Sequence, residues 1–309
     1  MNQDKKIKVV GVGGSGSNAI SRMVNCGISG VELIAVNTDD QDLKKIKADL
    51  KVRIGKNLTQ GLGTGMNPEV GKKAAEEQKE ELKEILKKTD MVFITCGLGG
   101  GTGTGASPVI AEIAKNSGAL TIAIITKPFS FEGISRQKIA DAGIKKLKEK
   151  VDCLISISNN KLLSVLNPGT SMSSAFWMCD EILREAVAGI SDLILKPGII
   201  NIDFADIKAV MKNSGSALFG ISRASGQSRA EIAAKVALKS PLLDVSPKGA
   251  RGILFNVSGG RDISLSEVQE IGKIITEEVN PSAKVIFGAS KDKKLPEGEL
   301  KVTLVATGF

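Results

Sequence analysis

The first half of the chain alternates short, uniformly apolar runs with amphipathic stretches. Ile7–Val12, Val31–Val36, Met91–Cys96, Leu120–Ile125 and Val151–Ile157 are rich in β-branched residues with little polar alternation, the pattern of strands buried on both faces. Between them apolar residues recur at helical spacing over Gly16–Asn25, Pro68–Lys88, Pro108–Asn116 and Ile134–Glu149, and Lys51–Ile54 reads as a further short strand. Such alternation predicts an α/β fold, a doubly wound and mostly parallel sheet covered by helices. A turn is expected at Asn167-Pro168-Gly169. Beyond it, Ser171–Leu195 keeps one helical period through Phe176, Cys179, Leu183, Val187 and Ile194, about seven turns at 3.6 residues each. Lys196-Pro197-Gly198 should end that helix. The remainder mixes helical patterns (Phe204–Lys212, Gln227–Leu238, Ser264–Val279) with strands (Ser216–Ile221, Gly252–Val257, Ala283–Phe287, Leu300–Val305). The expected organisation is a Rossmann-like domain over residues 1–170, a long central helix over 171–196 and a smaller α+β domain over 197–309.

Two glycine loops leave strand ends in the first domain. Gly97-Leu98-Gly99-Gly100-Gly101-Thr102-Gly103-Thr104-Gly105 places six glycines in nine positions, ahead of a helix expected to open with Pro108 in its first turn. Each glycine costs more backbone entropy on ordering than any other residue. A tight turn needs one or two of them; a loop stripped of side chains before a helix N-terminus suits an anionic phosphate, which exposed N–H groups and the helix dipole both attract. The other loop, Gly11-Val12-Gly13-Gly14-Ser15-Gly16-Ser17-Asn18, contains GxGxxG after a strand, the pattern of a dinucleotide fold. Asp39, near the end of the second strand, could take a ribose, so an NAD(P)-dependent oxidoreductase is one reading. The extra Gly14 and the second loop favour instead two loops gripping a triphosphate. Ligands of open α/β sheets bind beyond the carboxyl ends of the strands, so the two loops should converge on one crevice.

Three other segments carry candidate chemistry. In Asn201-Ile202-Asp203-Phe204-Ala205-Asp206 two carboxylates stand three apart at a helix start. Helix capping favours acids there; paired carboxylates could also orient a water. Glu132 and Arg136 lie one helical turn apart after the strand ending in Lys127-Pro128-Phe129. They fit either a surface ion pair of little worth or contacts to a ribose and a phosphate, for which an arginine fork is suited. Phe176 and Asp180, at i and i+4 on the long helix, share a face. A carboxylate in that apolar stripe would be satisfied by guanine, whose N1–H and N2–H2 offer two donors.

Composition narrows the chemistry. Hydrophobic residues make up 42% and charged residues 25% of the 309 positions, as in ordinary globular proteins. No histidine is present, which removes a Ser-His-Asp triad, histidine metal sites and imidazole acid–base chemistry. With no tyrosine and one tryptophan, Trp177, platforms for stacking single-stranded bases are few. The net charge is +8, but the lysine clusters are interleaved with acids on amphipathic helices, which reads as solvated helix faces rather than a nucleic-acid stripe. Cys26, Cys96, Cys153 and Cys179 sit in apolar surroundings without metal-ligand spacing and are expected to be buried and reduced. No run reaches membrane-span length, and the N-terminus lacks a signal-peptide core. A cytoplasmic protein is expected.

Gly99-Gly100-Gly101-Thr102-Gly103-Thr104-Gly105 resembles the signature of the tubulin superfamily. Taken with Gly13-Gly14-Ser15-Gly16-Ser17-Asn18, Lys127-Pro128-Phe129-Ser130-Phe131-Glu132-Gly133 and Asn201–Asp206, in that family's order, it resembles the FtsZ family of prokaryotic cell-division GTPases from about Ile7 to Phe309. The resemblance implies binding of GTP or GDP, with magnesium held mainly through the phosphates, and head-to-tail homopolymers at a mid-cell division ring. Phosphate contacts would fall to Gly14, Ser15, Gly16, Ser17 and Asn18 and to Gly101, Thr102 and Gly103, with Gly13, Gly100 and Thr104 in the same nucleotide site, and the ribose and phosphate side to Glu132 and Arg136. Phe176 would stack on guanine while Asp180, helped by Asn18 and Asn159, reads its edge. Asp203 and Asp206, with Asn201 nearby, would act on the GTP of the next subunit. A nucleotide-binding scaffold without turnover is the remaining rival. Three departures stand out. Ser15 and Ser17 occupy a loop usually richer in glycine, and Cys96-Gly97-Leu98 replaces the usual Ala-Gly-Met. The chain stops at Phe309 without the linker and terminal peptide that dock division adaptors, so direct membrane tethering is not expected of it. Its basic charge also departs from the family's usual acidity.

Overall fold

β1 (Ile7–Val12) is buried along nearly its whole length, and it runs parallel to β2 (Val31–Asn37) on one side and β4 (Met91–Gly97) on the other. β3 (Leu50–Arg53), β5 (Leu120–Lys127) and β6 (Cys153–Ser158) complete a six-stranded parallel sheet in the order β3-β2-β1-β4-β5-β6. The computed structural model describes residues 5–163, 169–195, 198–240, 247–292 and 295–309; the turn expected at Asn167-Pro168 and the helix stop at Lys196-Pro197 lie outside them. The chain divides into two units, Met1–Ala188 and Gly189–Phe309.

Helices cover the first sheet as its double-sided burial demands. They are α1 (Gly13–Asn25), α2 (Asp40–Lys45), α3 (Pro68–Glu77), α4 (Lys79–Leu86), α5 (Thr102–Asn116), α6 (Ile134–Lys148) and α7 (Asn159–Leu163). One core joins Val10, Ile34, Val52, Ala75, Leu82, Ile94, Ile110 and Leu147. Local signals set the boundaries: the Asn67 side chain accepts from Glu69 N and Pro68 opens α3, while Asp39 caps α2 by accepting from Asp42 N at 3.0 Å. The single helix expected over Pro68–Lys88 is two, because Gln78 leaves helical geometry and its side-chain oxygen accepts from Gly55 N. α5 starts six residues before Pro108, inside the glycine run, so the proline lies within the helix rather than in its first turn. Cys26, expected buried, is exposed just past the end of α1; Cys96, Cys153 and Cys179 are buried.

α8 (Met172–Leu195) begins in the first unit and ends in the second. The second unit adds α9 (Phe204–Met211), β7 (Gly215–Ser225), α10 (Arg229–Leu238), β8 (Gly252–Gly259), α11 (Leu265–Glu277), β9 (Lys284–Lys291) and β10 (Glu299–Thr307). Its strands lie in the order β7-β10-β8-β9, with β10 antiparallel to both neighbours and β8 parallel to β9. Ala233, Ala237, Phe255, Val257, Ile271, Val302 and Leu304 form its core. A capping box starts α11: Ser264 Oγ accepts from Glu267 N while Glu267 accepts from Ser264 N at 2.9 Å.

Candidate nucleotide site

The loops after β1 and β4 meet at the carboxyl end of the first sheet, as their positions in the sequence require. Gly13 has φ +72°, and a Cβ there would lie 2.9 Å from Gly103 N. Only glycine lets these two backbones approach so closely. α1 and α5 both start there, so two helix N-termini present unpaired N–H groups to one space.

That space is a cavity of about 430 Å³, whose lining includes Gly13, Gly14, Ser15, Asn18, Gly100, Gly101, Thr102 and Gly103. Glu132, Arg136, Asn159, Phe176 and Asp180 line it as well. Three residues expected to bind the nucleotide stand behind the lining instead. Gly16 packs on Gly11 and Thr95, Ser17 is fully buried, and Thr104 Oγ1 accepts from Gly99 N at 3.0 Å, shaping the loop from within. A larger groove of about 540 Å³ on α3, α5 and α6 is lined by Pro68, Pro108, Val109, Ile139 and small residues together with lysines and glutamates, several of them paired with one another, as in Lys146–Glu69 and Lys150–Glu112. Backbone donors converge in the smaller cavity, which makes it the candidate site.

At one end the wall combines an exposed aromatic ring with a buried carboxylate and a buried amide. Phe176 is 40% exposed, although a phenylalanine in an apolar stripe is normally core, and its ring meets Phe129 edge-on at 5.4 Å. Asp180 is buried beside it, and burial pushes its carboxyl up to about 6 against the opposing pull of Arg22 and Ser15. Asn159 is 5% exposed with its side-chain oxygen unpartnered. An orphaned acceptor at that depth calls for a ligand donor. Glu132 and Arg136 are paired at 2.7 Å while lining the cavity, and Glu132 also accepts from Phe129 N at 2.8 Å, which fixes the pair's position.

Two contributors escaped the sequence reading. Thr64 lines the cavity from the loop before α3, and its hydroxyl lies 3.3 Å from Thr102 Oγ1, which is 2.7 Å from Thr38 Oγ1. Its signal was present: Gly61, Gly63 and Gly65 surround it, all with positive φ. Arg22, four residues after Asn18 on α1, donates from Nε to Asp180 Oδ2 at 3.3 Å. Asp39, the residue an oxidoreductase would use on a ribose, is engaged as the α2 cap and does not line the cavity. Asn201, Asp203 and Asp206 belong to the second unit and do not line the cavity either. Asp203 caps α9 through Ala205 N at 3.4 Å, Asn201 Oδ1 accepts from Gly198 N at 2.7 Å, and Asp206 is half-exposed, 3.9 Å from Lys284 Nζ.

Two glycine loops closing on one cavity at the carboxyl edge of a parallel sheet, followed by a long helix and a mixed-sheet unit, mark the class of α/β proteins that cradle a phosphate-bearing ligand. Residues 6–167 match the family model for the tubulin/FtsZ GTPase domain and residues 215–309 that for the FtsZ C-terminal domain. The chain belongs to the FtsZ family. It is similar to an FtsZ from M. jannaschii, solved as an empty dimer, with 48% identity and a TM-score of 0.96 over 100% of this chain and 89% of that one. A variant of the same relative matches at 49% identity and TM-score 0.95, covering 98% of this chain and 91% of that one. CetZ2 from Haloferax volcanii, a GTPγS-bound protofilament, shares the fold at 23% identity and TM-score 0.82, over 97% and 92% of the two chains.

Proposed function

We propose that the first unit binds GTP in this cavity, that copies assemble head to tail into protofilaments, and that hydrolysis is completed in trans by Asn201, Asp203 and Asp206 of the adjoining copy. One observation carries the reading: among the described residues the two carboxylates that line the cavity are each held by an arginine, Glu132 by Arg136 and Asp180 by Arg22. Its glycine-loop side offers backbone amides and the hydroxyls of Ser15, Thr64 and Thr102. These bind phosphates but supply no base or water-orienting carboxylate. Phosphoryl transfer asks chiefly for positioning and charge stabilisation, so a lone copy holds its nucleotide and turns it over slowly. Asp206, half-exposed at the start of α9, is available to a neighbour.

In this reading Asp180 accepts from N1–H and N2–H2 of guanine, Phe176 stacks on the base, and Asn18 and Asn159 complete its edge. Among the described residues no group of three or more acidic or cysteine side chains could hold a metal ion, so magnesium would sit chiefly on the nucleotide phosphates, with the cavity-lining Thr102 as the residue that would help hold it. It would supply charge neutralisation there. The head-to-tail contact is heterologous and yields a filament unless it closes into a ring; the M. jannaschii dimer supports self-association. The role that follows is a cytoskeletal filament of the division site in the cytoplasm. No helix among the described residues is long and apolar enough to cross a membrane.

Complementation tests the shared site. Asp206→Ala should bind GTP as wild type does and lose on the order of a hundredfold or more in turnover. Asp180→Ala should bind GTP weakly. Mixed in equal amounts, the second supplies intact acids to the intact pockets of the first, and phosphate release should recover. A mixture no more active than the sum of its parts would refute hydrolysis in trans.

A further inference from the structure

Arg22 belongs to no nucleotide motif, yet it meets the one buried carboxylate of the base-reading wall. Its Nε lies 3.3 Å from Asp180 Oδ2 and its guanidinium 4.9 Å from the centroid of the Trp177 ring. Side-chain exposure is 24% for Arg22 and 10% for Asp180. The other groups facing Asp180 are Ser15 on α1, which favours its ionised form, and Cys179 beside it on α8, with Glu132 close to Cys179 and itself paired to Arg136. Among the described residues Arg22 is the cation bonded to Asp180. A carboxylate offers about four lone-pair sites. Arg22 takes one, which leaves more than the two that guanine's N1–H and N2–H2 require.

We propose that Arg22 is a positioning residue for base recognition: it keeps Asp180 charged and turned so that its free lone pairs meet guanine, and thereby preserves guanine binding under mildly acidic conditions. This rests on Asp180 reading the base. Trp177 stacks against the guanidinium from the long helix and limits its swing. A protonated Asp180 would set an O–H against a ring N–H, two donors facing each other. Burial already drives the carboxyl up to about 6 with Arg22 in place, so removing the cation moves protonation further toward neutral pH.

The test is calorimetric binding of GDP, which cannot turn over, to nucleotide-stripped protein from about pH 5.5 to about pH 8.5. Wild-type affinity should be level above neutrality and fall about tenfold per pH unit below about 6. In Arg22→Leu the fall should begin about one pH unit higher or more, with the gap to wild type narrowing as pH rises; Arg22→Lys should move the profile back. Far-UV circular dichroism reports whether each variant is folded, since Trp177 lies against the replaced side chain, and Arg22→Gln replaces the leucine variant if that one is not. A profile that superimposes on wild type, or drops equally at every pH, overturns the proposal. Asp180→Ala separates the two readings: if it binds GDP as tightly as wild type at every pH, base reading by Asp180 is itself wrong.

Discussion

Burial and charge compete at Asp180, and burial wins. Its carboxyl is raised to about 6 because the low-dielectric wall disfavours the ion more than Arg22 and Ser15 favour it. In the nucleotide-free protein a raised carboxyl contributes stability that is full below its unfolded value near 3.8 and is lost as pH rises through about 6. Asp180→Asn, which keeps the shape and can still accept from Arg22, should therefore raise the melting temperature of ligand-free protein above about pH 7 and leave it little changed near pH 4. The same ionised group should dominate base choice. Asp180→Ala should lose GTP-over-ATP preference by about 10² or more, measured by competition, since a site built for polar donors rejects the wrong ring strongly. Phe176 and Asp180 were legible as an i, i+4 pair. Arg22 was not, although it stands four residues after Asn18, because its role depends on a contact to a residue 158 positions away.

At the scale of elements, the glycine run was read as a loop before a helix, and it is partly the helix itself. α5 begins at Thr102, and Pro108 forgoes one internal hydrogen bond inside it. What permits this is packing. A Cβ on Gly105 would collide with the carbonyl oxygen of Pro68 at the start of α3, so α3 and α5 touch backbone to backbone. Glycine in the run thus serves helix contact as well as ligand approach. Gly105→Ala gains about 1 kcal/mol of helix propensity, but overpacking against backbone costs about 1–3 kcal/mol or more. The variant should unfold at lower denaturant concentration, with an unchanged slope. The split between α3 and α4 was invisible because the Gln78–Gly55 hydrogen bond that holds it is tertiary.

For the whole molecule, the two units carry different parts of one proposed reaction, and that predicts how activity scales. GTP turnover per molecule should rise steeply with protein concentration through the assembly threshold, in step with sedimentable polymer. Equal specific activity in dilute, monomeric protein would contradict the division of labour.

The short helices α2 and α7 did not follow from the sequence alone; the strands, most of the helices, the parallel sheet, the two glycine loops and the shared face of Phe176 and Asp180 did. Each depends on periodicity or on the conformational freedom of particular residues within a short span, and local physics decides those. The Arg22–Asp180 pair, the recruitment of Thr64 to Thr102, the break at Gln78 and the retreat of Gly16, Ser17 and Thr104 behind the cavity wall were settled only in three dimensions. They arise where distant segments compete for the same few ångströms of buried space, and no local pattern records the outcome of that competition.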